Sequence, residues 1–319
     1  MAVLQPNAGH GSKLKTTLHR SQQAPAILGQ EGSGGVLSRW YTSLDHDGSN
    51  DFESLEKLFF SCLQSADDKS ALLCLERLTH RFGPSNERIM ALRSIYDEAI
   101  AEDKPSLEGC LKKSDNILSQ NPVNLPILKR RISMLRSLSR PTEAISSLIQ
   151  LLGATPTDAE AWCELAELYH SQGMCAQAIF SLEEALLIVP HAWNVHARVG
   201  EILYIYADPL EDEAMCRQLH SAIRHFCRSV ELCDGYLRGF YGLALVGIHA
   251  IARLSVAKLP ETISKDPPLG RESLRRLHDL ATQKLEDILT TQCSLEPRLR
   301  EYEDHELAAV KDLLNDHSK

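Results

Sequence analysis

Cys216, His220, His225, Cys227 and Cys233 are the residues of this 319-residue chain best suited to chemistry. Thiolate and imidazole both ligate zinc, and Cys216 and His220 stand one helical turn apart. Structural zinc, however, usually takes close pairs such as C-x₂₋₄-C, whereas this set is irregular and the chain has no C-x-x-C. Small buried thiols in helix packing account for the cluster better, and elemental analysis separates the two readings. Paired carboxylates are the other chemical candidates, at Glu183-Glu184 and Glu211-Asp212-Glu213. General acid–base work needs a pocket and a shifted pKa, and such pairs on a surface helix read as a solvated face. No phosphate-binding glycine loop, nucleophile elbow or H-E-x-x-H is present. The expectation is therefore no catalytic residue, no cofactor and no assigned metal: a chain that is not an enzyme.

The elements that would carry these residues are helical. In Thr157–Pro190, Trp162, Leu165, Ala166 and Tyr169 form one apolar set at helical spacing, and Ala178, Leu182 and Ala185 form a second. Gly173 lies between them and Pro190 closes the unit, as a turn and a break require. The pattern matches the helix–turn–helix of a tetratricopeptide repeat, with Ala166 in place of Gly and Leu182 in place of Phe. Pro122, Pro156 and Pro190 recur every 34 residues, as do Ala144 and Ala178, and Leu151 and Ala185. That is the tetratricopeptide period. The expected fold is all-α: a right-handed superhelix, or α-solenoid, of stacked antiparallel helix pairs. Its clearest repeats are 125–156, 157–190 and 193–234. Trp162, Tyr169, Ala178 and Ala185 are expected in its core, so that Trp162→Ala would cost about 3–5 kcal/mol.

Composition agrees. The chain is 43% hydrophobic and 24% charged, with few aromatics, and its net charge of −9 speaks against a nucleic-acid binder. The nine cysteines read as reduced thiols of a cytosolic protein. No signal peptide or membrane-spanning helix is expected. Three regions follow: residues 1–35, rich in Gly, Ser, Gln and Pro and expected to be disordered; an array over 36–292; and a tail, 293–319, with a short helix. About ten extra residues around 207–215 separate Gly200 from Ala222, as a longer loop or a longer helix.

Repeat arrays bind through the groove lined by the first helix of each pair. The outward positions there are Lys129, Ser133 and Arg136, then Glu160, Cys163, Glu167 and His170, then Asn194, Ala197, Glu201 and Tyr204. Lys129, Arg136, Glu160, Glu167, Asn194 and Glu201 are the partner-binding candidates. An alternative function is a co-chaperone adaptor gripping a chaperone's acidic C-terminal peptide. Its clamp would fall on Lys129, Ser133, Glu164, Asn194 and Arg198, where Glu164 would repel the peptide carboxylates.

Three stretches carry a more specific resemblance: Glu160-Ala-Trp-Cys-Glu-Leu-Ala-Glu-Leu-Tyr169, Leu75-Glu-Arg-Leu-Thr-His-Arg-Phe-Gly-Pro-Ser85 and Arg238-Gly-Phe-Tyr-Gly-Leu243. In their order and spacing they resemble subunit 2 of the endoplasmic reticulum (ER) membrane protein complex, over roughly 36–292. The resemblance implies a non-catalytic scaffold on the cytosolic face of the ER membrane. Its partners would be other subunits of that complex, which inserts tail-anchored and multi-pass proteins. It implies no nucleic acid, and a peripheral membrane association made through those partners.

Overall fold

A computed structural model of the protein describes residues 10–28, 50–210, 212–254, 270–295, 300 and 302–317. Among these residues there are fourteen helices and no strand, and no helix is long and apolar enough to cross a membrane. The chain divides into two compact units, residues 1–147 and 148–319.

The first unit holds α1 (His10–Leu28), α2 (Asn50–Gln64), α3 (Asp68–Phe82), α4 (Glu87–Ala99), α5 (Lys104–Gln120) and α6 (Leu125–Ser137), and α7 (Pro141–Ala154) begins in it. Short polar side chains start these helices by accepting from the otherwise unpaired first-turn amides: Asp67 for α3, Asn86 for α4, Asp103 for α5 and Asn124 for α6. Phe59, Cys62, Ala71, Cys74, Leu75 and Leu92 form one buried cluster.

Helix α1 corrects the expectation of disorder over residues 10–28. Its composition is polar, but Ser21, Ala24 and Leu28 recur at helical spacing and are buried, the latter two in the α2–α3 cluster. Small residues on that stripe let the backbones approach closely. The Ser65 hydroxyl donates to the Ser21 hydroxyl at 2.6 Å, and Arg77 donates to the Leu28 carbonyl at 2.6 Å. A composition reading weighs the abundance of apolar residues and misses a stripe this narrow. The segment 36–44, expected to start the array, lies outside the described residues.

The second unit holds α8 (Ala159–Ser171), α9 (Cys175–Ile188), α10 (Trp193–Ala207), α11 (Asp212–Leu232), α12 (Leu237–Leu254), α13 (Arg271–Ser294) and α14 (Asp304–His317). The segments 125–156, 157–190 and 193–234 thus each fold as two helices. Ser139 and Gly173, 34 residues apart, both turn the chain between paired helices with positive φ, 57° and 73°. The residue after each bonds back in the same way: Arg140 N–H to Leu135 and Met174 N–H to Tyr169, both at 2.9 Å. Glycine tolerates that backbone freely, whereas serine pays a steric penalty on the order of 1 kcal/mol.

The extra residues near 207–215 lengthen helices rather than the loop. Helix α10 has 15 residues against 13 in α8, and α11 has 21 against 14 in α9. Helix α14 docks on the core through Val310 and Leu313, and Tyr302 just before it donates to the Gly235 carbonyl.

At the centre of this unit the Phe226 ring, 1% exposed, lies between α10 and α12. A Cβ on Gly200 would come within 2.8 Å of that ring, and one on Gly242 would overlap it further. Both positions therefore need glycine for space rather than for backbone freedom.

Candidate functional site

The candidate face is built from the first helix of each pair, whose sequence places buried apolar residues on one side and charged residues on the other. In the second unit these helices are α8, α10 and α12. Arg198 on α10 reaches back to Glu167 on α8 with two bonds, at 2.9 and 3.1 Å, and approaches His170 Nδ1 at 3.3 Å. It also donates to Glu201 on its own helix at 2.9 Å. Glu201 then accepts two bonds from Arg238 on α12, one of them at 2.7 Å. The result is a ladder of alternating charge, Glu167–Arg198–Glu201–Arg238, across three helices. Paired two-point contacts of this kind fix geometry as well as charge.

The first unit repeats the device. Arg88 on α4 pairs with Glu56 on α2, and Arg130 on α6 pairs with Glu98 on α4. Each arginine follows its glutamate by 31 to 37 residues, close to one repeat. The arginines of these rungs were not among the partner-binding candidates. Their signal was available as Glu-to-Arg spacing near the repeat length, which a search for outward positions on single helices does not test.

Of the six candidates, Lys129 and Arg136 are exposed on α6 in the first unit. Glu160 and Asn194 are exposed in the second. Glu167 and Glu201 are brought together through Arg198, and Glu201 is only 20% exposed beneath its two arginines. Two neighbouring expectations are corrected. Ala197 does not face outward: it is fully buried in the core, because α10 is packed on both sides. Tyr204 is half-buried against that core, with its ring edge-on to His249. Cys163 lies near Glu160 and Glu167, and burial, then these carboxylates, push its thiol up to about 11. The thiol is thus held in its protonated form at neutral pH.

The repeat signature divides in two. Leu165, Ala178 and Ala185 are buried, at 3%, 0% and 1% exposure. Trp162 and Tyr169 are only half-buried, and Tyr169 packs on the core. The expected burial of Trp162 is thus corrected. Its ring lies edge-on to the exposed Phe180, and its Nε1–H donates to the Pro156 carbonyl at 2.9 Å. Pro190 supplies the same acceptor one repeat later, to His196 Nε2 at 3.2 Å.

The cysteine–histidine cluster is not brought together. Cys216, His220 and Cys227 lie along one stripe of α11, and His225 points to the opposite side, where its Nδ1 meets His196 Nδ1 at 3.1 Å. Among the described residues no group of three metal-binding side chains converges. Burial and then Glu231 push the Cys227 thiol up to about 11.

Residues 84–208 match the EMC2 TPR-like repeat domain. The chain resembles subunit 2 of the ER membrane protein complex. It is 27% identical to ER membrane protein complex subunit 2-A of Xenopus laevis over 76% of this chain and 78% of that one. It is 25% identical to ER membrane protein complex subunit 2 of Saccharomyces cerevisiae over 68% of this chain and 78% of that one. It is also 29% identical to TPR repeat protein oca3 of Schizosaccharomyces pombe, over 86% of this chain and 93% of that one. The similarity to subunit 2 thus extends well beyond the matched repeat domain.

Proposed function

We propose that this chain is the second subunit of an ER membrane protein complex. In this reading it is a non-catalytic scaffold on the cytosolic side of the ER membrane. It binds cytosolic segments of membrane-embedded subunits and so supports the insertion of tail-anchored and multi-pass proteins. The observation that carries the reading is the extent of similarity: 245 residues align with the Xenopus subunit, far more than the shared repeat motif requires. Attachment to the membrane then runs through partner subunits.

The first-helix faces are the proposed partner surfaces, with Lys129 and Arg136 in the first unit and Glu160, Glu167, Asn194 and Glu201 in the second. In the second unit Glu167 and Glu201 set the geometry through the ladder, and Glu160 and Asn194 present polar atoms outward. The ladder also weighs against the co-chaperone alternative. Arg198, which would have to grip a peptide carboxylate, is already held by two carboxylates of its own chain.

Affinity purification from detergent-solubilised membranes tests the reading. Several membrane subunits should be recovered in equal amounts. Recovery of soluble chaperones alone, or of nothing, sinks it. Glu160→Lys should reduce recovery with the melting curve unchanged. Glu167→Lys is the less clean variant, because it also breaks a rung.

A further inference from the structure

Five of the fifteen large apolar side chains exposed among the described residues crowd into one stretch: Met174, Phe180, Leu187, Ile188 and Val189. Within it, Phe180 and Leu187 lie two turns apart on α9, 57% and 77% exposed. Ala178, Leu182, Ala185 and Leu186 carry the buried face of the same helix, so Phe180 and Leu187 point away from the core. Glu183 and Glu184 stand between them on the outward stripe, three and four residues from each end. Neither carboxylate has an ion-pair or hydrogen-bond partner among the described residues. Partial burial, then the adjacent Glu184, raises the Glu183 carboxyl above its ordinary range. The Phe180 ring meets the edge of Trp162, whose indole is fixed by its bond to the Pro156 carbonyl. The apolar end of the stripe is thus preorganised.

We propose that this outer face of α9 docks a basic amphipathic helix of another protein. Two apolar side chains of that helix, seven residues apart, would cover Phe180 and Leu187, and Lys or Arg between them would pair with Glu183 and Glu184. Charge decides the occupant. A second copy of the chain docking through a two-fold axis would set Glu183 and Glu184 against their own equivalents, a like-charge juxtaposition. An anionic bilayer surface repels the same pair. A basic helix removes both costs. It is also drawn by the surrounding charge, since residues 148–319 hold 26 Asp and Glu against 16 Lys and Arg, whereas residues 1–147 are nearly balanced at 17 against 18. This face belongs to a second helix of a pair, apart from the first-helix faces, and the inference does not depend on which complex the chain enters.

The test is a photo-crosslinking amino acid in place of Leu187 in the full-length chain, with the crosslinked peptide identified by mass spectrometry. The expected product is one segment of another protein with apolar residues seven apart and Lys or Arg between them. That segment, synthesised as a peptide, should bind the purified chain at least tenfold more weakly when Glu183 and Glu184 are both changed to Lys. The charge-matched double variant Glu286→Lys/Asp287→Lys on α13 should change binding less than twofold. Crosslinks to a second copy, to lipid or to a segment without basic residues overturn the proposal. So do the absence of saturable crosslinking and an equal loss in the two double variants.

Discussion

Trp162 and His196 stand 34 residues apart, at the same position of two successive repeats, and make the same bond. Each donates a ring N–H to the carbonyl of the proline that closed the preceding repeat, at 2.9 Å to Pro156 and 3.2 Å to Pro190. Their surroundings differ. The half-buried indole lies edge-on to Phe180, while the imidazole meets a second imidazole, His225, from the partner helix of its pair. A similar exchange runs through the packing. The earlier repeat has Ala166 on its first helix and Leu182 on its second, and the later one has Gly200 and Phe226. Removing one methyl from the first helix makes room for a ring on the second. The two repeats therefore solve one packing problem with different volume partitions, and the copy nearer the consensus in its tryptophan is the one with the smaller central side chain.

The largest effect should come from the centre of the later repeat. Phe226→Ala should cost about 3–5 kcal/mol, read as a shift of the urea midpoint at constant slope. The ring is buried and lies against Gly200 and Gly242, which have no side chain to fill the space it leaves.

Acid comes next. His196 donates from Nε2, so its neutral ring has a bare Nδ1, and His225 must be the donor in the bond between them. Burial, then His196, lower the His225 pKa from 6.5 to about 4; burial also lowers that of His196, against the opposing effect of its bond to the Pro190 carbonyl. Above pH 6.5 neither the folded nor the unfolded chain protonates His225, and it makes no difference. As pH falls from 6.5 to about 4, the unfolded chain takes up a proton that the folded chain refuses, so stability falls. The loss should be on the order of 3 kcal/mol by pH 4. His225→Gln should flatten that part of the curve of urea midpoint against pH. The repeat that uses Trp162 has no imidazole at the equivalent position, so this acid sensitivity belongs to the later repeat.

The volume exchange makes a sharper test. Gly200→Ala should cost about 1–3 kcal/mol through overpacking against Phe226, and Gly242→Ala more than that. Adding Phe226→Leu to Gly200→Ala rebuilds the partition of the earlier repeat. The double variant should be less destabilised than the sum of the single variants by at least 1 kcal/mol. Simple additivity would mean that the Ala–Leu and Gly–Phe pairs are not alternatives.

The repeat period and the buried small residues were legible in the sequence because they rest on helical spacing, which a single chain displays. Leu165, Ala178 and Ala185 therefore fell where expected. The ladder was only half legible. Outward charge on one helix can be read from its own period, but whether Glu201 faces a partner protein or Arg238 depends on the next helix and its stagger. Helix α1 was missed for a different reason. Its buried stripe of Ser21, Ala24 and Leu28 is narrow and holds one large apolar residue, and it is stabilised by contacts with residues more than 40 positions away. Trp162 shows that a large aromatic at a signature position need not be fully buried.

The smallest predicted effect completes the comparison. Trp162 is only half-buried; it lies edge-on to Phe180, itself more than half exposed, and donates to one carbonyl. A neutral hydrogen bond contributes about 1 kcal/mol, and a ring that keeps part of its surface in water adds about 1 kcal/mol more. Trp162→Ala should thus cost about 1–2 kcal/mol, well below Phe226→Ala. Trp162→His transplants the donor of the later repeat without its partner at 225. It should recover part of that loss at neutral pH, with little of the acid sensitivity that burial against His225 produces. Should Trp162→Ala cost as much as Phe226→Ala in the same urea titration, the indole would be a core residue after all. The distinction between a clasping position and a packing position would then be lost.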